Sequence, residues 1–184
     1  MDSYQDIRVL ADPEFSKNTL MAALFAKLHR ALGTRGKGDI GVSFPEFSVT
    51  PGSVIRLHGS RSSLAELEAT RWRAGLGDYC EASSIAPIPN AVEWRYVKRV
   101  QVKSSPQRLL RRSVRKGWLT EEQAVQRGSG IKANLSDLPF LSLKSLSSGQ
   151  HFRLFILHGE LQPERVNGTF SSYGLSDKTT IPWF

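Results

Sequence analysis

The residues best suited to chemistry form one basic segment between Arg95 and Lys116, where nine side chains are Lys or Arg and none is Asp or Glu. Planar guanidinium groups bind phosphate oxygens and guanine edges through paired hydrogen bonds. Because like charges repel one another, anions lying between these cations would stabilise the segment. The segment therefore predicts a polyanionic partner, and the alternative is an ordinary solvated basic face.

The second part of this segment is predicted to be a helix over about 106–116. Ser105 is typical of a helix start and Gly117 of a helix end. At 100° per residue, four arginines lie within an arc of about 100°, while Leu110 and Val114 lie on the opposite side. Such a helix would dock through its apolar side and expose an arginine ridge. The ridge comprises Arg108, Arg111, Arg112 and Arg115.

A second candidate for chemistry is His29. Apolar residues recur at helical spacing from Leu20 to Leu32, between a capping Ser16 and a terminating Gly33. This pattern predicts an amphipathic helix with His29 at the border of its buried face, in the last turn, where the helix dipole and a nearby phosphate would both favour a positive charge. The residues alone favour a structural histidine at the edge of the core, and proton transfer is the alternative.

The elements that must position these side chains fall into two parts. The first part has the predicted order strand, helix, strand, strand, helix, strand, with a capping box of Ser63 and Glu66 opening the second helix and a closing strand over 83–88. This order is typical of a ferredoxin-like domain, which we assign to residues 1–91, in an α+β chain. Residues 92–184 are predicted to form a smaller α/β domain that carries the arginine-rich helix.

Several shorter elements are predicted in this second domain. A strand over 92–103 leads into the arginine-rich helix, and Thr120 with Gln123 forms a possible capping box. Strands over 138–145 and 151–158 follow, joined by the polar residues 145–150. Taken alone, that polar stretch is favoured as a simple hairpin connection.

Composition narrows the class of protein. The net charge is +8, and the excess lies in the second half of the chain, which points to nucleic acid as the partner. One cysteine, Cys80, permits neither an intrachain disulfide nor a multi-cysteine metal site, and the remaining histidines lack metal-ligand spacing. No apolar run is long enough to cross a membrane. We expect a cytoplasmic protein without metal, cofactor or membrane segment.

Six blocks of the sequence resemble the type I-F CRISPR-associated endoribonucleases that cleave repeat RNA. They occur in the family's order, and agreement is weak over 46–90, 117–136 and 160–167. The blocks read LFAKLHRAL, IGVSFP, RVQVKSSPQRLLRRSVRK, SLSSGQHFRLFILHG, FSSYGLS and IPWF.

The resemblance implies a ferredoxin-like domain followed by an RNA-binding domain. It implies metal-independent cleavage of CRISPR repeat RNA at the base of its stem-loop by 2′-hydroxyl attack, leaving a 2′,3′-cyclic or 3′ phosphate. The enzyme would then stay on the crRNA hairpin, with other protein subunits of the type I-F surveillance complex as partners. One alternative is a non-catalytic RNA-hairpin-binding subunit of a ribonucleoprotein. Another is a DNA-binding regulator, which the absence of a recognisable helix-turn-helix disfavours.

The resemblance also implies roles for individual residues. His29 would be the catalytic histidine, Tyr173 would position it, and Ser145 would hold the nucleophilic hydroxyl. Ser147 and Ser148 would lie near the scissile phosphate. Of the residues expected to bind the stem, Arg99 and Gln101 would read bases of the lower stem, and Phe152 would stack on the last base pair. Lys103 would contact phosphate. The helix residues that would enter the major groove are Arg108, Arg111, Arg112, Arg115 and Lys116. Lys116 stands where an arginine is usual, so it lacks the bidentate fork.

Overall fold

A computed structural model describes residues 1–101, 112–120, 122–124, 137–145 and 149–184. Within these ranges the protein has an α+β fold with two antiparallel sheets and two main helices of 19 and 9 residues. The first sheet contains the strands β1 (Ser3–Val9), β2 (Gly41–Ser43), β3 (Val54–Gly59), β4 (Cys80–Ala82) and β5 (Ala86–Pro87). Its order is β2-β3-β1-β4, with β5 pairing with the other end of β1. The helices α1 (Lys17–Arg35) and α2 (Arg61–Ala69) follow β1 and β3, respectively.

Helix α1 begins as predicted and ends later than predicted. The Ser16 hydroxyl accepts a hydrogen bond from the Thr19 N–H (3.2 Å). The predicted end at Gly33 was wrong, because the left-handed residue is Gly36 (φ 62°), whose N–H donates to the Leu32 carbonyl (3.0 Å). His29 therefore lies before the last turn.

Two further local predictions were also wrong. The residue that caps α2 is Ser60, whose hydroxyl accepts from the Ser63 N–H (3.1 Å), and Glu66 instead binds Arg35 (3.0 Å) and Lys37 (2.6 Å). A second Ser three residues before Ser63 can cap equally well, so the pattern alone does not choose between them. Of the predicted strand over 83–88 only Ala86–Pro87 (β5) forms, whereas β4 lies before that range, and the two strands pair with opposite ends of β1.

The second sheet contains β6 (Glu93–Val100), β7 (Phe140–Lys144), β8 (His151–His158) and β9 (Thr180–Trp183), in the order β7-β8-β6-β9. Strands β7 and β8 form the hairpin that the sequence predicted. The pairing of the C-terminal strand β9 with β6 was not predicted, because this strand has only four residues and contains Pro182.

One hydrophobic core connects the two sheets and positions the site. Buried side chains of α1, including Phe25 and Leu28, belong to the same cluster as Leu141 of β7 and Ile156 of β8. Helix α1 contacts both β1 and β7, so it packs against both sheets. Among the described residues, no helix is long and apolar enough to cross a bilayer.

Candidate active site

His29 is half-buried on α1, as predicted. Its Nδ1 atom lies 3.0 Å from the carbonyl oxygen of Ser172. A carbonyl oxygen accepts hydrogen bonds and cannot donate them, so Nδ1 must carry the hydrogen of this bond. The neutral imidazole then has its lone pair on Nε2. The backbone at Ser172 thus selects the tautomer in which Nε2 can accept a proton.

The orientation of this imidazole is fixed by Tyr173. The two rings are parallel within 1° and their centroids are 3.8 Å apart. On the core side, Tyr173 also stacks on the buried Phe25, with centroids 6.1 Å apart and an angle of 16°. Packing against the hydrophobic core therefore holds the tyrosine, and the tyrosine in turn holds the plane of His29.

The loop that carries Ser172 and Tyr173 is a tight turn with few degrees of freedom. The Ser171 N–H and hydroxyl both donate to the Leu175 carbonyl (3.0 and 2.9 Å), and the Gly174 N–H donates to the Ser171 carbonyl (2.8 Å). Gly174 is left-handed (φ 70°), and a Cβ there would collide with Val42 of β2. In addition, the Val42 N–H donates to the Gly174 carbonyl (2.8 Å). The first sheet therefore anchors the turn that orients His29.

Arg99 joins this histidine site to the second sheet. Its guanidinium carbon lies 5.0 Å from the ring centroid of Tyr173 and 5.4 Å from that of Phe152. With its amide oxygen turned toward the guanidinium, Gln101 accepts hydrogen bonds from Arg99 at 2.9 and 3.2 Å. The structure thus brings together five residues predicted from the sequence: His29, Tyr173, Arg99, Gln101 and Phe152.

Ser145 lies at the end of β7, where the hairpin turn begins. Its N–H donates to the Gln150 carbonyl (2.8 Å), and its carbonyl accepts from the Gly149 N–H (2.9 Å). These bonds confirm a hairpin connection. In the same hairpin, Leu143 pairs with Phe152, which places Ser145 two residues beyond the strand position opposite that aromatic. The predicted site residues Ser147 and Ser148 lie outside the described residues.

The end of the arginine-rich helix is described over 112–117. Residues 112–115 are helical, and Arg112, Arg115 and Lys116 are exposed. Gly117 is left-handed (φ 70°) and ends the helix, as predicted. Downstream, Thr120 and Gln123 exchange the two hydrogen bonds of the predicted capping box, both at 3.2 Å. Lys103, Arg108 and Arg111 lie outside the described residues.

Charge pairing differs between the two halves of the protein. Six ion pairs join described residues, and each of them lies within residues 6–73. Examples are the bidentate pair of Arg56 with Asp6 and the pair of Arg8 with Glu46. Within the same described ranges, Arg99, Arg112 and Arg115 form no ion pair with a carboxylate. These cations remain available to a polyanion.

Two of the other three histidines have structural positions, and the third, His151, is exposed. Burial lowers the pKa of His58 to about 3, and its Nε2 lies 2.8 Å from the Ser43 hydroxyl. Burial likewise lowers the pKa of His158 to about 3, and its ring stacks on Phe47 with centroids 3.8 Å apart. Both are neutral at pH 7. Among the described residues, no group of three His, Cys, Asp or Glu side chains is arranged to hold a metal ion.

Nothing in the sequence indicated one group in this site, the Ser172 carbonyl that binds His29. Every residue has a backbone carbonyl, so no residue type at position 172 could have indicated this role. Only the fold of the turn aims the carbonyl at the imidazole.

The sequence of this chain is similar to those of known proteins over its whole length. Residues 4–184 match the profile of the family described as CRISPR-associated protein (Cas_Csy4). The chain is 64% identical over 184 residues to the CRISPR-associated endonuclease Cas6/Csy4 of Escherichia coli, covering all of both chains. It is 46% identical over 187 residues to the protein of the same name from Pseudomonas aeruginosa, again covering all of both chains. The match over nearly the whole sequence shows that this chain belongs to the Cas_Csy4 family of CRISPR-associated proteins.

Proposed function

We propose that this protein is an endoribonuclease that cleaves CRISPR repeat RNA at the base of its stem-loop. The RNA's own 2′-hydroxyl attacks the adjacent phosphorus and expels the 5′ oxygen of the next nucleotide, which leaves a 2′,3′-cyclic phosphate, or a 3′ phosphate once water has opened the ring. The observation that carries the proposal is the fixed imidazole of His29, whose Nδ1 is bound to the Ser172 carbonyl and whose ring is stacked on Tyr173. The endonuclease names of the two relatives support the same class of reaction.

In this mechanism His29 acts as the general base. Its Nε2 lone pair takes the proton of the 2′-hydroxyl, a contribution of about 10²- to 10⁴-fold in rate. Ser145, at the start of the neighbouring hairpin turn, holds that hydroxyl in line with the phosphorus and the leaving 5′ oxygen, and alignment of this kind contributes a comparable factor. Because the nucleophile belongs to the substrate, the reaction needs a base and alignment but no metal-activated water.

Recognition uses cations that form no ion pair with a carboxylate within the described residues, namely Arg99, Arg112 and Arg115. We assign Arg99 and Gln101 to the bases of the lower stem and Phe152 to the last base pair. The Arg99 guanidinium contacts both the Phe152 ring and the Tyr173 ring, so a base pair seated on Phe152 would be near the catalytic histidine. The arginine ridge and Lys116 would follow the groove. Since the A-form major groove is deep and narrow, we expect entry where it opens near a stem end or loop.

We also propose that residues 1–91 form a ferredoxin-like domain and residues 92–184 an RNA-binding domain. The element order over β1 to β4 and the strand order β4-β1-β3-β2, all antiparallel, support this assignment. The two domains share one hydrophobic core, which would hold His29 of the first domain rigidly against the recognition residues of the second.

The function is tested with a repeat-derived RNA hairpin under single-turnover conditions. We expect His29→Ala to slow cleavage by about 10²- to 10⁴-fold while hairpin affinity is unchanged. Lys17→Ala, on the exposed first turn of the same helix, should cleave at the wild-type rate. A His29→Ala protein that cleaves within a few-fold of wild type would refute the assignment.

Two conditions test the nucleophile and the metal independence. Cleavage should persist in excess EDTA and should stop when the residue immediately 5′ of the cut carries a 2′-deoxy sugar. Cleavage of the deoxy substrate would exclude attack by the RNA's own hydroxyl.

A second function, holding the product hairpin as a subunit of a ribonucleoprotein with other protein subunits, is supported by the exposed cations at 112–116. It is compatible with cleavage. If wild type binds the hairpin tightly but cleaves it in no condition, hairpin binding is the only function that remains. His29 would then have a structural role.

A further inference from the structure

Trp118 is an unusually exposed aromatic residue. Its exposed fraction is 70%, and the other large apolar residue of the described ranges with a comparable exposure is Val49. Tryptophan normally buries a large apolar area, and it is enriched at binding interfaces. The position of Trp118 therefore requires an explanation.

The backbone holds this ring in place. The Gly117 N–H donates to the Val114 carbonyl and the Trp118 N–H donates to the Ser113 carbonyl, both at 2.9 Å. This pair of bonds is the Schellman motif that ends the helix. An apolar residue after such a motif often packs on the helix residue that accepts the longer bond, but that residue is the polar Ser113. Local packing thus does not account for Trp118.

The surroundings of the ring are cationic. The Lys116 ammonium lies 4.6 Å from the ring centroid, and the exposed Arg112 and Arg115 belong to the preceding turn. An aromatic face beside phosphate-binding cations is the combination with which proteins bind unpaired nucleotides, because the ring stacks on a base while the cations bind its backbone. An apolar protein partner would not benefit from three neighbouring positive charges.

We propose that Trp118 stacks on an unpaired base in the loop of the RNA hairpin. This inference rests on the proposed function. Bases within the stem are covered on both faces by their neighbours, whereas a loop base can turn out and expose its ring. The site would give the protein a preference for the loop of its hairpin, separate from the reading of the lower stem by Arg99 and Gln101.

The test compares wild type, Trp118→Ala and Trp118→Phe in binding a stem-loop from which the single-stranded flanks have been removed. We expect the alanine variant to bind about 5- to 150-fold more weakly and the phenylalanine variant to retain most of the affinity. Replacing loop nucleotides one at a time by abasic residues should weaken wild type at one position and leave Trp118→Ala unaffected there. Phe15→Ala, which removes a 42% exposed aromatic ring from the first half, is the matched control and should bind like wild type.

The outcomes separate this inference from the proposed function. If wild type neither binds nor cleaves the hairpin, the proposed function fails. If wild type cleaves and Trp118→Ala binds the stem-loop equally well, the inference alone fails, and a protein partner becomes the explanation for the exposed ring. If the alanine variant is weaker only when the flanks are present, the base lies in a flank and the loop assignment is wrong.

Discussion

The imidazole of His29 lies flat on the phenol ring of Tyr173, with centroids 3.8 Å apart and planes parallel within 1°. Because Tyr173 is also stacked on the buried Phe25, the orientation of the histidine is determined by the core of the protein. The hydrogen bond to the Ser172 carbonyl also determines which tautomer His29 adopts. Two adjacent residues of one turn thus control both properties that a general base requires.

If stacking is what matters, Tyr173→Phe should retain cleavage and Tyr173→Ala should lose it. An aromatic pair stabilises a protein by about 0.5–1.5 kcal/mol beyond the burial of its area. A displacement of the catalytic ring by about 1 Å can lower the rate about 100-fold. We expect single-turnover cleavage to fall at least about 10-fold in the alanine variant. Equal loss in both variants would instead assign the role to the hydroxyl group.

Gly174→Ala tests whether the turn positions His29. An added Cβ would collide with Val42, and φ is 70°, so the turn must shift. We expect impaired cleavage with weaker effects on hairpin binding, measured on the same RNA. Gly75→Ala is the matched control, since Gly75 has φ 81° with nothing within 4 Å of an added Cβ. The Gly75→Ala variant has the same unfavourable positive φ at an alanine but no collision, so it should cleave at the wild-type rate.

Much of the fold was predictable because its signals are local. Strand alternation, the cap at Ser16 and the glycine at 117 each depend on a few adjacent residues, and the structure confirms them. The end of α1 was not predictable in the same way. Gly33 lies inside the helix, where an added Cβ would meet only Ser172 at an ordinary contact distance of 3.7 Å, and Gly36 takes the left-handed conformation instead.

The site itself was only half predictable from the residues. Sequence periodicity placed His29 at the border of the core but could not indicate that Tyr173, far along the chain, covers its ring. That contact depends on packing between elements distant in sequence. The family resemblance supplied the pair, and the structure supplies the stacking geometry that makes a physical role possible.

The arginine ridge predicts a strong salt dependence of RNA binding. With about six phosphate contacts, log K should fall against log salt with a slope of roughly −4 to −5. Substituting Arg112 and Arg115 by Gln should reduce the magnitude of the slope by about 2. The matched control carries Arg8→Gln and Arg61→Gln, which remove the same charge from exposed positions of the first half. A wild-type slope near −1 would contradict an extended contact with phosphates.

His58 is buried, and His158 is half-buried with both ring nitrogens shielded from solvent. Together these two histidines predict a loss of stability in mild acid. Their folded pKa values of about 3 lie below the ordinary 6.5, so between these values the unfolded chain binds protons that the folded protein does not. The stability is complete above about pH 6.5 and decreases as the pH falls toward 3. At about 1.4 kcal/mol per pH unit, each histidine should lower the free energy of unfolding by roughly 2 kcal/mol between pH 6.5 and pH 5.

His158→Phe separates the two contributions, measured by urea unfolding at pH 7 and pH 5. Within the described residues neither ring nitrogen of His158 has a hydrogen-bond partner, and the ring packs on Phe47 and Trp183, so a phenyl ring should cost little at pH 7. The decrease in stability between the two pH values should fall to about half. His151→Phe is the control, because His151 is exposed and solvated in both states. An unchanged decrease in His158→Phe would mean that His158 is protonated in the folded protein as readily as in the unfolded chain.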